Sequence, residues 1–539
     1  MAFGSLIFNL YELQIKKGNL YAARAESQIR LAGLLKPRRG SIYFTDKNSN
    51  LIPAALNRDY PVVFAVPRQI EEPDKTAELL SSILEKPQAE LQRKIGKSND
   101  SYELLAAKLG EQQVAAIKNL DLKGIYIDKE EFRFYPFRDL GAHLLGFVGP
   151  SSNDDELKGR YGLEAFYEEL LRGLPGEEAG GKIHEPVHGS DLVLTIDRNI
   201  QSQAEEILAQ AILKNKAVGG TVIVEEPRTG KILALANYPA FDPNRYGASA
   251  VGDFLSAASQ SIYEPGSVFK VITMSAGIDT GKITPETTFT DTGSIVLNNR
   301  RIQNYDGKVY GTVSMTKVIE NSINIGAVFA ERQTGHENFL RYLVKFGFDE
   351  KTGLNLPGEV KSSLKNLKSN ARDINFATAS FGQGVAMTPI ALVNAISAIA
   401  NGGLLMKPYL LSGEKPEVVR RVIKAETASQ VAQMMTSAVR KAQVAHIPNY
   451  AVAGKTGTAQ IPDFKRGGYT DEFIHTFAGF APAKSPRFAI LFKVDKPQVG
   501  ELAGLTVVPA FRELAQFILN YYNIPPDDLP EAPATAPKL

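Results

Sequence analysis

The stretch Glu264-Pro-Gly-Ser-Val-Phe-Lys-Val-Ile-Thr-Met274 decides the reading of this chain. Pro265-Gly266 places Ser267 at the start of a helix running to about Thr280. Val268, Val271, Ile272 and Met274 make that helix nearly all apolar, so it is expected to be buried. A lysine inside such a helix needs a reason. Residues three apart share a helical face, so the Lys270 amine can reach the Ser267 hydroxyl. A serine hydroxyl is a poor nucleophile until a base takes its proton, and a lysine can be that base only if burial or nearby positive charge lowers its pKa. The plainer reading is an N-cap serine beside a lysine that snorkels to water. The same Ser-x-x-Lys spacing occurs at Ser314/Lys317, Ser362/Lys365 and Ser412/Lys415. Ser314 reads as a helix cap, and Ser362 and Ser412 lie in polar stretches that read as solvated loops.

Two further patterns follow in the chain. Ser322-Ile-Asn324 interrupts a helical segment over Ser314–Gln333 with a hydroxyl and an amide that can turn into one cleft, or can simply kink or cap the helix. Its rival, Ser151/Asn153, sits in a polar turn. Lys455-Thr-Gly-Thr458 follows Ala451-Val-Ala453 and reads as a strand presenting a cation and two hydroxyls, an edge able to bind a carboxylate, with Gly457 allowing close substrate approach. Lys351-Thr-Gly353 repeats the pattern in what must be a turn. A phosphate-binding loop at Gly454-Lys455-Thr456 fails because the first glycine it requires falls on Asn449.

Outward from these motifs, Thr221–Glu226, the turn at Pro227–Gly230 and Lys231–Asn237 read as an antiparallel hairpin, with further strands at Phe473–Pro482 and Phe488–Val494. Leu192–Ile196 reads as a strand. The helix after it gathers Ala204, Ile207, Leu208, Ala211 and Ile212 on one face, where a core begins, and more helices are expected at Ile390–Asn401 and Ala510–Tyr522. An antiparallel sheet flanked by helices fits this order better than alternating βαβ units. Upstream, Ser41–Phe44 alternates, Glu72–Leu120 is helical in pattern with breaks at Pro87, Gly96 and Gly110, and the glycines and prolines of Leu171–Ser190 mark a boundary or a long hairpin.

With 539 residues the chain has room for two to four domains and a large core. Hydrophobic residues at 44% and charged residues at 22% describe an ordinary folded protein. With 61 basic against 59 acidic side chains the net charge is +2, too balanced for the basic footprint of a nucleic-acid binder. The absence of cysteine removes disulfides, thiol nucleophiles and cysteine metal sites. Six scattered histidines, including His184 and His188 beside Pro186 and Gly189, do not suggest a metal centre, and no cofactor is expected. No Gly-x-Ser-x-Gly elbow is present. Met1–Ile15 is mostly apolar but too short to span a bilayer. It reads either as the outer end of a membrane anchor or as an amphipathic first helix.

Taken in order, Ser267-x-x-Lys270, Ser322-x-Asn324 and Lys455-Thr456-Gly457 form the three-part set of the penicillin-recognising serine enzymes. The chain resembles the class B penicillin-binding proteins, the monofunctional D,D-transpeptidases of peptidoglycan synthesis, over nearly its whole length. Arg39-Gly-Ser-Ile-Tyr43, Arg133-Phe-Tyr-Pro136, Ala142-His-Leu-Leu-Gly-Phe-Val-Gly149, Tyr161-Gly-Leu-Glu164 and Phe381-Gly-Gln-Gly-Val-Ala-Met-Thr-Pro389 are similar to family stretches. Asn50–Ala55 departs from the family's Asp-Arg-Asn-Gly pattern, and the N-terminal apolar segment is shorter than the family's single helix.

The resemblance implies an α/β (α+β) fold, with a central antiparallel sheet between helices and an extended N-terminal pedestal domain. The implied organisation is an anchor remnant over 1–19, a non-catalytic pedestal over 20–190, a transpeptidase domain over 191–523 and a disordered tail over 524–539. It further implies Ser267 as nucleophile, Lys270 as its base, Ser322 as proton relay and Asn324 as a peptide ligand. Lys455, Thr456 and Thr458 would hold the substrate carboxylate, with the Ser267 and Thr458 amides as oxyanion hole. Peptidoglycan stem peptides would be the substrate and β-lactams inhibitors. A polytopic glycosyltransferase and other cell-wall synthesis proteins would be partners, and the catalytic domain would lie outside the cytoplasmic membrane. The rival functions are a D,D-carboxypeptidase or β-lactamase-like hydrolase, and a β-lactam sensor or scaffold.

Overall fold

A computed structural model of the chain describes residues 36–97, 100–150, 157–179, 182–463, 465–500 and 502–529. The segments 1–19 and 530–539, and the Ser151/Asn153 pair, lie outside the described residues. Two compact units are present. One is built from Ala55–Pro136 and Glu169–Leu192 with the segment ending at Ile42. The other comprises Tyr43–Ala54, Phe137–Glu168 and the chain from Val193 onward.

Near the start of the described chain lies β1 (Ile42–Thr45). In the smaller unit, β2 (Ile52–Ala65) pairs antiparallel with β4 (Ile125–Phe134) from Leu56↔Phe134 to Ala65↔Ile125, and with β3 (Glu103–Ala106) through Val63 to Ala65. Helix α1 (Pro73–Leu84) starts on a proline whose fixed φ suits the first helical position, and α2 (Gln88–Ile95) starts after Pro87. Their buried faces, Ala77, Leu80, Leu84, Leu91 and Ile95, close over Val63, Ala65 and Leu105. The expected breaks at Pro87, Gly96 and Gly110 fall between helices, but strand β3 within that stretch has no alternation to announce it. Glu177–Ala179 and Lys182–His184 pair as a hairpin, continued by a bridge between Leu174 and Val187.

In the larger unit β5 (Leu192–Asp197) neighbours β1, not the main sheet. The core begins with the helix after it, α3 (Arg198–Asn215), capped by the Asp197 carboxylate, which accepts from the Asn199 and Ile200 amides. The main sheet has five antiparallel strands in the order β7-β6-β10-β9-β8. These are β6 (Gly219–Glu226), β7 (Lys231–Tyr238), β8 (Ala453–Pro462), β9 (Tyr469–Ala481) and β10 (Phe488–Asp495). The expected hairpin of β6 and β7 is there, paired from Gly220↔Tyr238 to Glu226↔Lys231 with a register shift between Val224 and Glu225.

The helices that frame the site and the core include α4 (Lys270–Asp279), α5 (Met315–Asn321), α6 (Asn324–Thr334), α7 (Asp373–Ala379), α8 (Pro389–Ala400), α9 (Ala425–Ala442) and α10 (Ala503–Tyr521). The Ile207, Leu208 and Ile212 side chains of α3 and Phe511, Leu514 and Ile518 of α10 pack with Val222, Phe477 and Phe492 of the sheet. Because helices cover both faces, β6 and β10 are buried along nearly their whole length and read as apolar runs rather than alternating strands. Helix α8 is buried nearly all round, which its mostly small and apolar sequence permits, and its polar Asn394 donates to the Met406 carbonyl at 3.1 Å.

Helix α10 starts seven residues earlier than the sequence pattern indicates. Pro509 lies inside it and removes one ladder hydrogen bond, yet Ala503, Val507, Val508 and Phe511 bury a continuous face that outweighs the loss. Residues 525–529, read as part of a disordered tail, are held by charge. Asp527 accepts from the Ala451 amide at 2.7 Å, and Asp528 pairs with Arg440. Among the described residues no helix is long and apolar enough to cross a membrane.

Candidate active site

Ser267 lies in a single 3-10 turn, Gly266–Phe269, that leads into α4. Gly266 has φ +59° and its amide donates to the Gly382 carbonyl at 3.2 Å. A Cβ on Gly382 would fall 2.2 Å from the Gly266 oxygen, so two glycine backbones meet where side chains could not. This contact seats the serine turn against the Phe381–Gly384 loop. Glu264, three residues before Ser267, accepts from the Gly384 amide and the Tyr469 hydroxyl, both at 3.0 Å, and ties the same turn to β9.

Lys270 is fully buried at the head of α4, as the apolar helix requires. Its Nζ lies 3.0 Å from Ser267 Oγ, 2.6 Å from the Ser322 carbonyl oxygen, 3.2 Å from Ser322 Oγ and 2.8 Å from Asn324 Oδ1. The Asn324 orientation is set by its Nδ2, which donates to the Gln303 carbonyl at 3.0 Å. The Ser322 carbonyl and Asn324 Oδ1 can only accept. A neutral amine has two protons for those two oxygens, which leaves its lone pair for a hydroxyl proton. Burial, reinforced by the charge of Lys455, holds the Lys270 pKa well below the ordinary lysine value.

Ser322 stands between α5 and α6 with φ 57° and ψ 40°, a left-handed conformation rare for a residue with a side chain. The break lets Ser322 Oγ face both lysines, 3.2 Å from Lys270 Nζ and 3.0 Å from Lys455 Nζ. Lys455 is 4% exposed, also reaches the Thr456 carbonyl at 3.2 Å, and is pushed down to about 7 by burial. The four polar side chains therefore form one continuous run, Ser267–Lys270–Ser322–Lys455, with Asn324 bonded to its middle.

β8 is an edge strand, and its free side meets the serine turn. A Cβ on Gly457 would sit 2.4 Å from the Pro265 carbonyl, so what approaches closely there is the chain's own serine turn. Thr456 and Thr458 line a cleft of about 1340 Å³ together with Ser267, Ser322, Asn324 and Lys455. Two small hairpins over Thr288–Ser314 carry Arg300, Gln303 and Tyr305 on the cleft wall. Sequence patterning did not expose these hairpins, nor Asn304, whose Oδ1 accepts from the Asn324 and Ile325 amides at the start of α6.

The competing copies have ordinary structural roles. Ser314 caps α5, and Thr352 and Gly353 wrap the Glu359 carboxylate in a turn. Ser412 is exposed. Ser362 is 3% exposed rather than solvated, because the bridge from Ser363 to Ala386 draws that segment inward, and its hydroxyl has no partner among the described residues.

A serine, a buried lysine, a second serine and a second buried lysine joined in this order are able to activate a hydroxyl for attack on a carbonyl and return a proton to a leaving amine. The family described as penicillin binding protein transpeptidase domain matches residues 220–516, the span that holds all of these groups. The chain belongs to this family. The penicillin-binding protein dimerisation domain matches residues 34–185. The chain is 31% identical to stage V sporulation protein D of Bacillus subtilis, over 92% of this chain and 81% of that relative. It is also 31% identical to the probable peptidoglycan D,D-transpeptidase PenA of Neisseria meningitidis, over 97% and 91%. Among solved structures, penicillin binding protein 3 from Mycobacterium tuberculosis, complexed with aztreonam, superposes with a TM-score of 0.71 at 26% identity, covering 92% of this chain and 98% of that one.

Proposed function

We propose that the chain is a peptidoglycan D,D-transpeptidase that cross-links stem peptides through an acyl-enzyme on Ser267. The observation that carries this reading is the Lys270 amine, which meets Ser267 Oγ and Ser322 Oγ at once while two acceptor-only oxygens fill its other positions.

Ser267 Oγ attacks the carbonyl carbon between the two terminal D-alanines as Lys270 takes the hydroxyl proton. The oxyanion is met by the Ser267 and Thr458 amides, where loss of one such donor costs about 3–4 kcal/mol. The C–N bond breaks, Ser322 passes a proton to the leaving amine, and free D-alanine departs from an ester on Ser267. An amine of a second stem peptide then attacks the ester, gives up one proton to Lys270, and Ser267 Oγ leaves as the hydroxyl. Thr456, Thr458 and Lys455 hold the carboxylate of the donor, and Asn324 holds its amide. A β-lactam enters the same path and stays as the ester. The active region is taken as 191–523 and the non-catalytic region as 20–190. The protein acts on the outer side of the cytoplasmic membrane beside a polytopic glycosyltransferase, an expectation supported by family membership.

A stem peptide ending in D-Ala-D-Ala, incubated with the protein and an amine acceptor, should yield the new amide and free D-alanine. Hydrolysis alone would favour the carboxypeptidase reading. No turnover from a protein that still forms a β-lactam adduct would favour a sensor.

A further inference from the structure

His475 lies on β9 directly across from Thr458 of β8, so the two side chains share a face of the sheet. It is 1% exposed, and burial pushes it down to about 4, so the ring is neutral. Its Nδ1 lies 2.8 Å from Thr506 Oγ1 in the first turns of α10, and its Nε2 is buried with no partner among the described residues. Thr506 Oγ1 also lies 3.5 Å from the Ala503 carbonyl oxygen, and the Ala503 amide donates to Thr458 Oγ1 at 3.3 Å. The contacts close a ring: Thr458 to Ala503, Ala503 to Thr506, Thr506 to His475, and His475 back across the strand pair to Thr458. Thr458, His475 and Ala503 all line the cleft.

We propose that His475 is a positioning residue which, through Thr506 and the first turn of α10, fixes the Thr458 hydroxyl so that its proton points at the anionic group of an acyl donor. The chemistry follows from the donor count of a hydroxyl. One lone pair of Thr458 Oγ1 is taken by the Ala503 N–H, so its single proton is free to donate into the cleft. An anion is the acceptor that gains most from such a donor. Were α10 to tilt, the Ala503 amide would leave Thr458, and the hydroxyl could turn its proton back to the protein. This inference rests on the reading that Thr458 holds the donor carboxylate.

The test compares acylation rates by benzylpenicillin and by its methyl ester, which lacks the anion, in the full chain and in His475→Phe, His475→Asn and Thr506→Val. The expected result is that the intact protein prefers the acid. His475→Phe and Thr506→Val should lose about tenfold or more of the rate with the acid, the worth of one hydrogen bond to a charged group, and little of the rate with the ester. His475→Asn places an amide near the Nδ1 position and should recover most of the loss. Equal losses with acid and ester would reduce His475 to a purely structural role and overturn the proposal, as would variants that keep the full preference. An intact protein that shows no preference would instead remove the carboxylate reading on which the proposal rests.

Discussion

Lys270 is charged in water and buried here, and that conflict is the source of its chemistry. Only its neutral form can take the Ser267 proton, and burial with Lys455 nearby favours that form. Lys270→Met should therefore lower acylation by about 10²–10⁴, the usual worth of a general base, with the fold retained because an unbranched methionine follows the path of the buried lysine stem. Stopped-flow acylation with a near-native rate in that variant would remove the base assignment. The pH profile follows from the same two amines. As pH falls through the lowered Lys270 value the base is protonated and acylation drops. As pH rises past about 7, Lys455 loses the charge that holds an anion, so the rate with an anionic β-lactam should pass through a maximum. Lys455→Arg keeps its charge and should flatten the alkaline limb, and a limb unchanged in that variant would contradict the assignment. These residues were legible because three-residue spacing on a helix and a two-residue break are local patterns. Asn304 and His475 were not, because nothing near them in the chain tells that one caps α6 and the other braces α10.

At the scale of elements, the site depends on how closely β8 lies against the serine turn. Gly457→Ala adds a Cβ 2.4 Å from the Pro265 carbonyl and 3.0 Å from a Val268 methyl, so strand and turn must part. We expect about 1–3 kcal/mol of lost stability, typical of overpacking, seen as a lower Tm, together with a larger loss of acylation. A Tm and an acylation rate both equal to the unsubstituted protein would show that the contact does not position the site. The sheet strands and helices α3, α4 and α8 follow from periodicity, since each has one dominant pattern, whereas the equally long α9 (Ala425–Ala442) was not among the expected helices. The hairpins over Thr288–Ser314 and the early start of α10 do not. The hairpin strands are four residues each, and the first turns of α10 are justified only by what they pack on across Pro509.

For the whole molecule, the catalytic sheet holds a fully buried carboxyl that has no part in the reaction. Glu225 of β6 is buried, and burial pushes it up to about 8. The folded chain keeps this proton while the unfolded chain loses it above about 4.5, so folding binds a proton between these values and stability falls as pH rises through that window. Glu225→Gln removes the titration without changing the shape. Its Tm should match the unsubstituted protein near pH 5 and exceed it increasingly toward pH 9. A Tm difference that stays constant with pH would show that Glu225 is not protonated in the fold. The family and its sheet-between-helices architecture were accessible from the three motifs taken together, since each alone has a rival copy in the chain. The course of the chain through its two units was not, because the strand pairing of Ile42–Thr45 with Leu192–Asp197 joins segments about 150 residues apart.

The central claim is that Ser267 carries the acyl group, and the most direct test is intact-mass analysis and peptide mapping after exposure to a fluorescent penicillin. One adduct per chain, located on the peptide containing Ser267 and absent from Ser267→Ala, is the result the geometry requires. An adduct on any other residue, or one that persists in Ser267→Ala, would contradict it.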